Sequence, residues 1–176
     1  MPSSDLGVET NMKRVLLSAT SLIALVVLGQ FASLSAHAGG QDDKLSAEQL
    51  KAMLEGLAYT VKTINSEVGK EKFEFPNTSE KYNVPIGAEI SPSKNYIWLT
   101  VHLGQAPSAD TTPAAKFEAM LKANASIQPN FFYITSKGNL MMAVAIDNRN
   151  VNAAVIKRNV DKLVGDVAKN DTIWKP

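Results

Sequence analysis

Imidazoles, thiols and paired carboxylates do most side-chain chemistry near neutral pH, and this sequence is poor in all three. Its 176 residues include no cysteine and two histidines, His37 and His102. Without cysteine there is neither a thiolate nucleophile nor a thiolate metal ligand. His37 falls in a segment read below as removable, which leaves His102 as the single imidazole. One imidazole builds neither a His-rich metal site nor a relay, and no H-E-x-x-H or G-x-S-x-G spacing accompanies it. A lone strand histidine is ordinarily a half-exposed polar side chain. Glu74, Glu89 and Asp147 are candidates for a carboxylate pair, but no spacing joins them and solvated charge is the plain reading. Gly104 and Gly138 lie in loops without a phosphate-binding glycine pattern, so no nucleotide site is expected. No cofactor and no metal are expected, and the chain reads as a non-enzyme.

The elements that would position these residues follow a polar start. Residues 1–11 are unpatterned, and Met12-Lys13-Arg14 before the apolar run from Val15 to Leu28 has the form of an export signal, with Met12 as the initiator. The run is shorter than the roughly twenty residues that span a bilayer. It leads to Ala36-His37-Ala38, a small-x-small cleavage site, so the expected mature chain is a single domain from Gly39 to Pro176, exported to the periplasm or secreted. Membrane contact is then expected only during export. Removing residues 1–38 takes Asp5, Glu9, Lys13 and Arg14 and leaves the net charge at +1. No clustered Lys and Arg suggests phosphate neutralisation, so nucleic acid is not an expected partner.

Leu45-Ser46-Ala47-Glu48-Gln49-Leu50 combines a capping box, Ser46 with Gln49, and a hydrophobic staple. The stripe Leu50, Met53, Leu54, Leu57, Val61 and Ile64 predicts a helix to about Ser66, closed by Gly69. Phe73-Glu74-Phe75 predicts a short strand cut off by Pro76. Val84 to Ile90 and Tyr96 to Leu103 alternate with period two, and Pro92-Ser93-Lys94-Asn95 supplies the turn between them. Thr112-Pro113 starts a short amphipathic helix carrying Phe117, Met120 and Leu121, which Asn124 ends. Phe131 to Ile146 is a hairpin around Ser136-Lys137-Gly138-Asn139. Asp147 to Asn150 offers caps for a last, longer helix through Val151, Val155, Val160, Leu163, Val164 and Val167. The fold class is α+β: an antiparallel sheet of about five strands with three helices, in the order helix, strands, helix, hairpin, helix.

This order, the segment Phe117-Glu118-Ala119-Met120-Leu121-Lys122-Ala123-Asn124 before the hairpin, and the closing helix from Val151 resemble the type III secretion chaperone-like fold, of the Tir chaperone type, and the related bacterial sensory transduction regulator family. The resemblance spans about Leu45 to Lys169. It implies a small, often dimeric protein-binding module without a catalytic site. Its secretion-chaperone members are cytosolic and usually acidic, whereas this chain carries an export-type start and is nearly neutral.

If Ile97, Leu99, Val101 and Leu103 face the helices, then Tyr96, Trp98 and His102 face away. The hairpin is expected to add Phe132, Ile134, Met141, Ala143 and Ala145 to that second face. An uncovered apolar patch of several hundred Å² marks an interface. The expected partner-binding residues are therefore Tyr96, Trp98, His102, Phe132, Ile134 and Met141, and the expected partner is a protein or a second copy in a homodimer. Alternatively, the long leader, the C-terminal segment with Trp174 or another helix covers the face. The alternative is a small-ligand carrier, with a pocket between helices and sheet lined by Met53, Met120 and Met142.

Overall fold

The computed structural model describes residues 44–79, 81–108, 110 and 113–175. The export-type segment, Met12 and the cleavage site lie outside the described residues. In chain order the elements are α1 (Ala47–Gly56), β1 (Lys62–Asn65), β2 (Lys72–Thr78), β3 (Asn83–Ile90), β4 (Tyr96–Gln105), α2 (Ala114–Ser126), β5 (Phe131–Ile134), β6 (Asn139–Asp147), α3 (Ala153–Lys169) and α4 (Asp171–Trp174). The six strands form one antiparallel sheet in the order β1-β2-β3-β4-β6-β5. With three longer helices and one single turn, the architecture is the expected α+β class with one more strand.

The helix starts follow local chemistry. Ser46 Oγ accepts from Gln49 N–H while the Gln49 side chain accepts from Ser46 N–H, so the capping box forms. α3 is capped by Asn152, whose side chain accepts from Val155 N–H, rather than by a residue of 147–150. Those residues have other tasks: Asp147 holds Arg149, Asn150 takes a positive φ, and Asn148 is fully buried. Asn148 Oδ1 accepts from Leu45 N–H, and its amide donates to the Leu45 and Lys94 carbonyls, tying the entry to α1 to the β3–β4 turn. Thr112, the expected cap of α2, lies outside the described residues.

α1 ends ten residues earlier than its stripe suggests. Leu57 N–H is shared by the Met53 and Leu54 carbonyls, and Ala58 adopts φ 65°, closing the helix in the left-handed region. Thr60, Val61, Thr63 and Ile64 beyond it are β-branched, which favours the strand they enter. Val61 and Ile64 repeat at helical spacing by coincidence, and Gly69, at φ 81°, serves the β1–β2 turn. β2 also runs through Pro76 instead of stopping at it. Pro76 faces Pro85, while the β1–β2 ladder reaches only Lys62↔Glu74 and the β3–β4 ladder only Ile86↔Val101. Both prolines thus stand where no ladder donor is required.

One face of the sheet carries the core. Phe73, Phe75, Ile86, Ala88, Ile97, Leu99, Val101, Leu140, Met142, Val144 and Phe132 are buried there in one cluster. Leu50 and Leu54 of α1, Met120 and Ala123 of α2, and Ile156, Val160, Leu163 and Val167 of α3 join it. The one acidic group buried with α3, Asp166, accepts from Asn130 Nδ2 at 2.6 Å and from Lys162 Nζ at 2.7 Å, the pairing that a buried carboxylate needs. Trp174 stays with this layer. Its indole donates to the Val167 carbonyl and its ring stands 5.9 Å from that of Tyr82, so α4 extends the helical side and leaves the opposite face alone.

Candidate functional site

The opposite face is built by the residues that alternate with the core. Across β3, β4, β6 and β5 the register sets Glu89, Trp98 and Ala145 in one row, and Gly87, Thr100, Ala143 and Phe131 in the next. His102, Met141 and Tyr133 follow, with Tyr96 opposite Asp147 at the far end. None of Trp98, Phe131, Tyr133 and Met141 belongs to the core cluster, and all four are half-buried. Among the described residues no helix packs on this side.

The face divides in two. Toward β1 and β2 it presents Lys62, Lys72, Glu74 and Glu89, with Lys72 Nζ 3.6 Å from Glu89. Toward β4, β6 and β5 it is aromatic and aliphatic. The Trp98 and Phe131 rings meet edge to face at 6.1 Å between centroids, and Tyr133 stands 5.8 Å from Phe131. Trp98 is on β4 and Phe131 on β5, with β6 between them, so the rings meet across the small side chains of β6. Ala143, opposite Phe131, is 0% exposed although no helix among the described residues covers it. Aromatic pairs of this geometry contribute about 0.5–1.5 kcal/mol beyond area burial. Burial pushes the Tyr133 hydroxyl above the usual tyrosine range, and the negative charge of Glu89 adds to the effect.

Of the expected partner-binding residues, Tyr96, Trp98, His102 and Met141 share this face, with Tyr96 and His102 exposed. Phe132 and Ile134 do not. Phe132 pairs with Met142 and Ile134 with Leu140, so both face the helices, and their places are taken by Phe131 and Tyr133. The segment Phe131-Phe132-Tyr133-Ile134 is apolar at every position, so its alternation has no visible phase; pairing with β6 supplies it. Ala143 and Ala145 do lie on the second face, as expected.

The carboxylates do not converge. Glu89 pairs with Lys72, Glu74 is exposed on β2, and Asp147 is bound by Arg149 through both side-chain and backbone N–H donors. That hydrogen bonding, followed by the Arg149 charge, lowers the Asp147 carboxyl to about 2. Among the described residues no group of three His, Asp or Glu side chains has the geometry to hold a metal ion.

The methionines expected to line a ligand pocket are largely packing. Met142 is fully buried, Met120 nearly so and Met53 half-buried against the core. Between α2 and the hairpin there is an open apolar groove of about 210 Å³, lined by Phe117, Met120, Leu121, Phe132, Ile134 and Leu140 among others. Small-molecule sites usually measure about 300–1,000 Å³. Asn124, expected to end α2, lies inside that helix, two residues before its last residue, Ser126. Its Oδ1 accepts from Phe132 N–H at 2.7 Å and its Nδ2 donates to the Phe132 carbonyl at 3.3 Å.

No family model matches the chain, and no curated protein matches it. Solved structures do. The chain is similar in fold to a chain of the HopA1–SchA chaperone–effector complex, with 11% identity over 72% of this chain and 89% of that one, at a TM-score of 0.47. It is also similar to a chain of the heterodimeric ExoU–SpcU complex from the type III secretion system of Pseudomonas aeruginosa, with 15% identity over 66% and 84% of the two chains, at a TM-score of 0.42. The exported, periplasmic or secreted address expected from residues 12–38 is corrected by these neighbours. One is a chaperone–effector complex and the other a heterodimeric complex of the type III secretion system, and the address is withdrawn together with membrane contact during export. No helix among the described residues is long and apolar enough to cross a membrane.

Proposed function

We propose that the domain from Gly39 to Pro176 is a non-catalytic, chaperone-like protein-binding module whose contact surface is the uncovered face of β4, β6 and β5. One observation carries this: Trp98, Phe131, Tyr133 and Met141 gather on a sheet side that no described helix covers, outside the core cluster. Solvated sheet faces are polar, and concentrated aromatic and methionine surface is what protein interfaces use. On the same face Lys72 pairs with Glu89 and Arg149 with Asp147, while Lys62 and Glu74 lie at its β1–β2 end, so the β4–β6–β5 surface suits a largely uncharged partner. A second copy of the chain and a different protein both meet that description. The paired carboxylates and the exposed His102 favour binding over catalysis, and the size of the α2–hairpin groove gives the small-ligand reading no support.

The test is the solution mass of residues 39–176 by light scattering, with and without Trp98→Asp, alongside capture experiments at matched concentration. A dimer or captured protein that Trp98→Asp releases, while far-ultraviolet circular dichroism is unchanged, supports the face as the contact surface. Association that survives Trp98→Asp in the folded protein overturns it.

A further inference from the structure

We propose that Asn124 is an edge stop: its side-chain amide occupies the position that β5 of a second copy would take beside β5. This does not depend on the open sheet face, since it concerns the edge of the sheet. β5 is the last strand in the order β1-β2-β3-β4-β6-β5, so among the described residues one side of its backbone has no strand partner. In an antiparallel pair alternate residues direct both N–H and C=O outward. On β5 these are Phe132 and Ile134, because Thr135 N–H turns inward to the Asn139 carbonyl and Phe132 N–H is taken by Asn124. Asn124 thus meets Phe132 with one acceptor and one donor, the pair of bonds that a neighbouring strand would make.

The edge has little else to protect it. Natural edges are blunted by charge, proline, bulges or a covering element. Phe131-Phe132-Tyr133-Ile134 contains no charge and no proline, and its pairing with β6 is without a bulge. Beside it Ile134 is 46% exposed and Leu121, on α2, 71% exposed. Such a segment has the composition of strands that associate with their own copies. Centred on Tyr133, an antiparallel β5–β5 contact sets Phe132 of one copy opposite Ile134 of the other, using every outward donor and acceptor. The apolar groove between α2 and the hairpin flanks this line. With Asn124 in place, half of those backbone groups are already satisfied within the chain and the contact loses its hydrogen bonds.

The experiment compares wild type, Asn124→Ala, and Asn124→Ala combined with Ile134→Pro, which removes the remaining outward donor, by light scattering over a wide concentration range. Amide hydrogen exchange of wild type is measured in parallel. The expected result is a doubling of the wild-type mass in Asn124→Ala, returned to the wild-type value by Ile134→Pro, with Phe132 N–H in wild type exchanging more slowly than Ile134 N–H. A folded Asn124→Ala of unchanged mass overturns the proposal, and so does association that Ile134→Pro fails to reverse. Should Asn124→Ala not fold, the exchange measurement decides: Phe132 N–H exchanging as fast as Ile134 N–H overturns the edge stop, and clear protection supports it.

Discussion

The two faces of the sheet use similar residues in different ways. On the helical face Leu99, Ile97, Val101 and Met142 have almost no solvent contact and are held from all sides by α1, α2 and α3. On the other face Trp98, Phe131 and Tyr133 are as apolar but lie in a single layer, with ring against ring and only Ala143 fully shielded beneath them. Deep burial converts apolar area into stability, whereas a half-buried aromatic layer leaves much of that area for another molecule. The lesson is that hydrophobicity alone does not separate core from interface in this chain; layering does.

The sharpest way to break the comparison is to truncate neighbours that point to opposite faces. Leu99→Ala leaves a cavity under the helices and is expected to destabilise the domain by about 2–5 kcal/mol, measured by denaturant unfolding. Trp98→Ala, one residue away, is expected to lose about 0.5–1.5 kcal/mol from its ring pair with Phe131 in addition to the buried part of its own area, and to weaken association or partner capture while the fold persists. Equal losses from the two variants sink the distinction. A second pair lies on β6, where Met142 is fully buried and Met141 half-buried on the open side. Met142→Ala belongs to the same class of about 2–5 kcal/mol, and Met141→Ala is expected to stay within about 1 kcal/mol.

Which parts of this were legible depends on how far apart the cooperating residues lie. The alternation of β4 was readable because Tyr96, Thr100 and His102 are polar enough to mark a phase, and the Ser46–Gln49 capping box was readable because both partners sit within one turn. The end of α1 was not, since Val61 and Ile64 keep helical spacing while their β-branched neighbours turn into β1. The face assignments of Phe132 and Ile134 failed because four consecutive apolar residues contain no phase. In the candidate surface, Trp98 was found from its own strand, but its partner Phe131 is thirty-three residues away and only the strand order β4-β6-β5 brings the rings together. Asn124 and Asn148 were missed for the same reason. Each bonds backbone groups on another element, and such pairings leave no local pattern.

The smallest expected effect sharpens the comparison at the rim of the open face, where charge replaces packing. Asp147 stands opposite Tyr96 and its carboxyl is lowered from 3.8 to about 2, first by the hydrogen bond from Arg149. A carboxylate lowered by folding contributes stability that is fully present above its unfolded value and disappears as the pH falls through its folded one. The contribution of this pair is therefore complete above pH 3.8 and lost on the way down to about 2. Both partners are solvent-exposed, so the contribution is small and screened by salt. Asp147→Asn is expected to leave stability at neutral pH nearly unchanged and to flatten the decline between pH 4 and 2 slightly, as followed by thermal unfolding at low ionic strength. An equally steep acid limb in the variant shows that the Arg149 contact adds nothing to the fold. A large loss at neutral pH instead shows that the rim of the open face bears on the core as well.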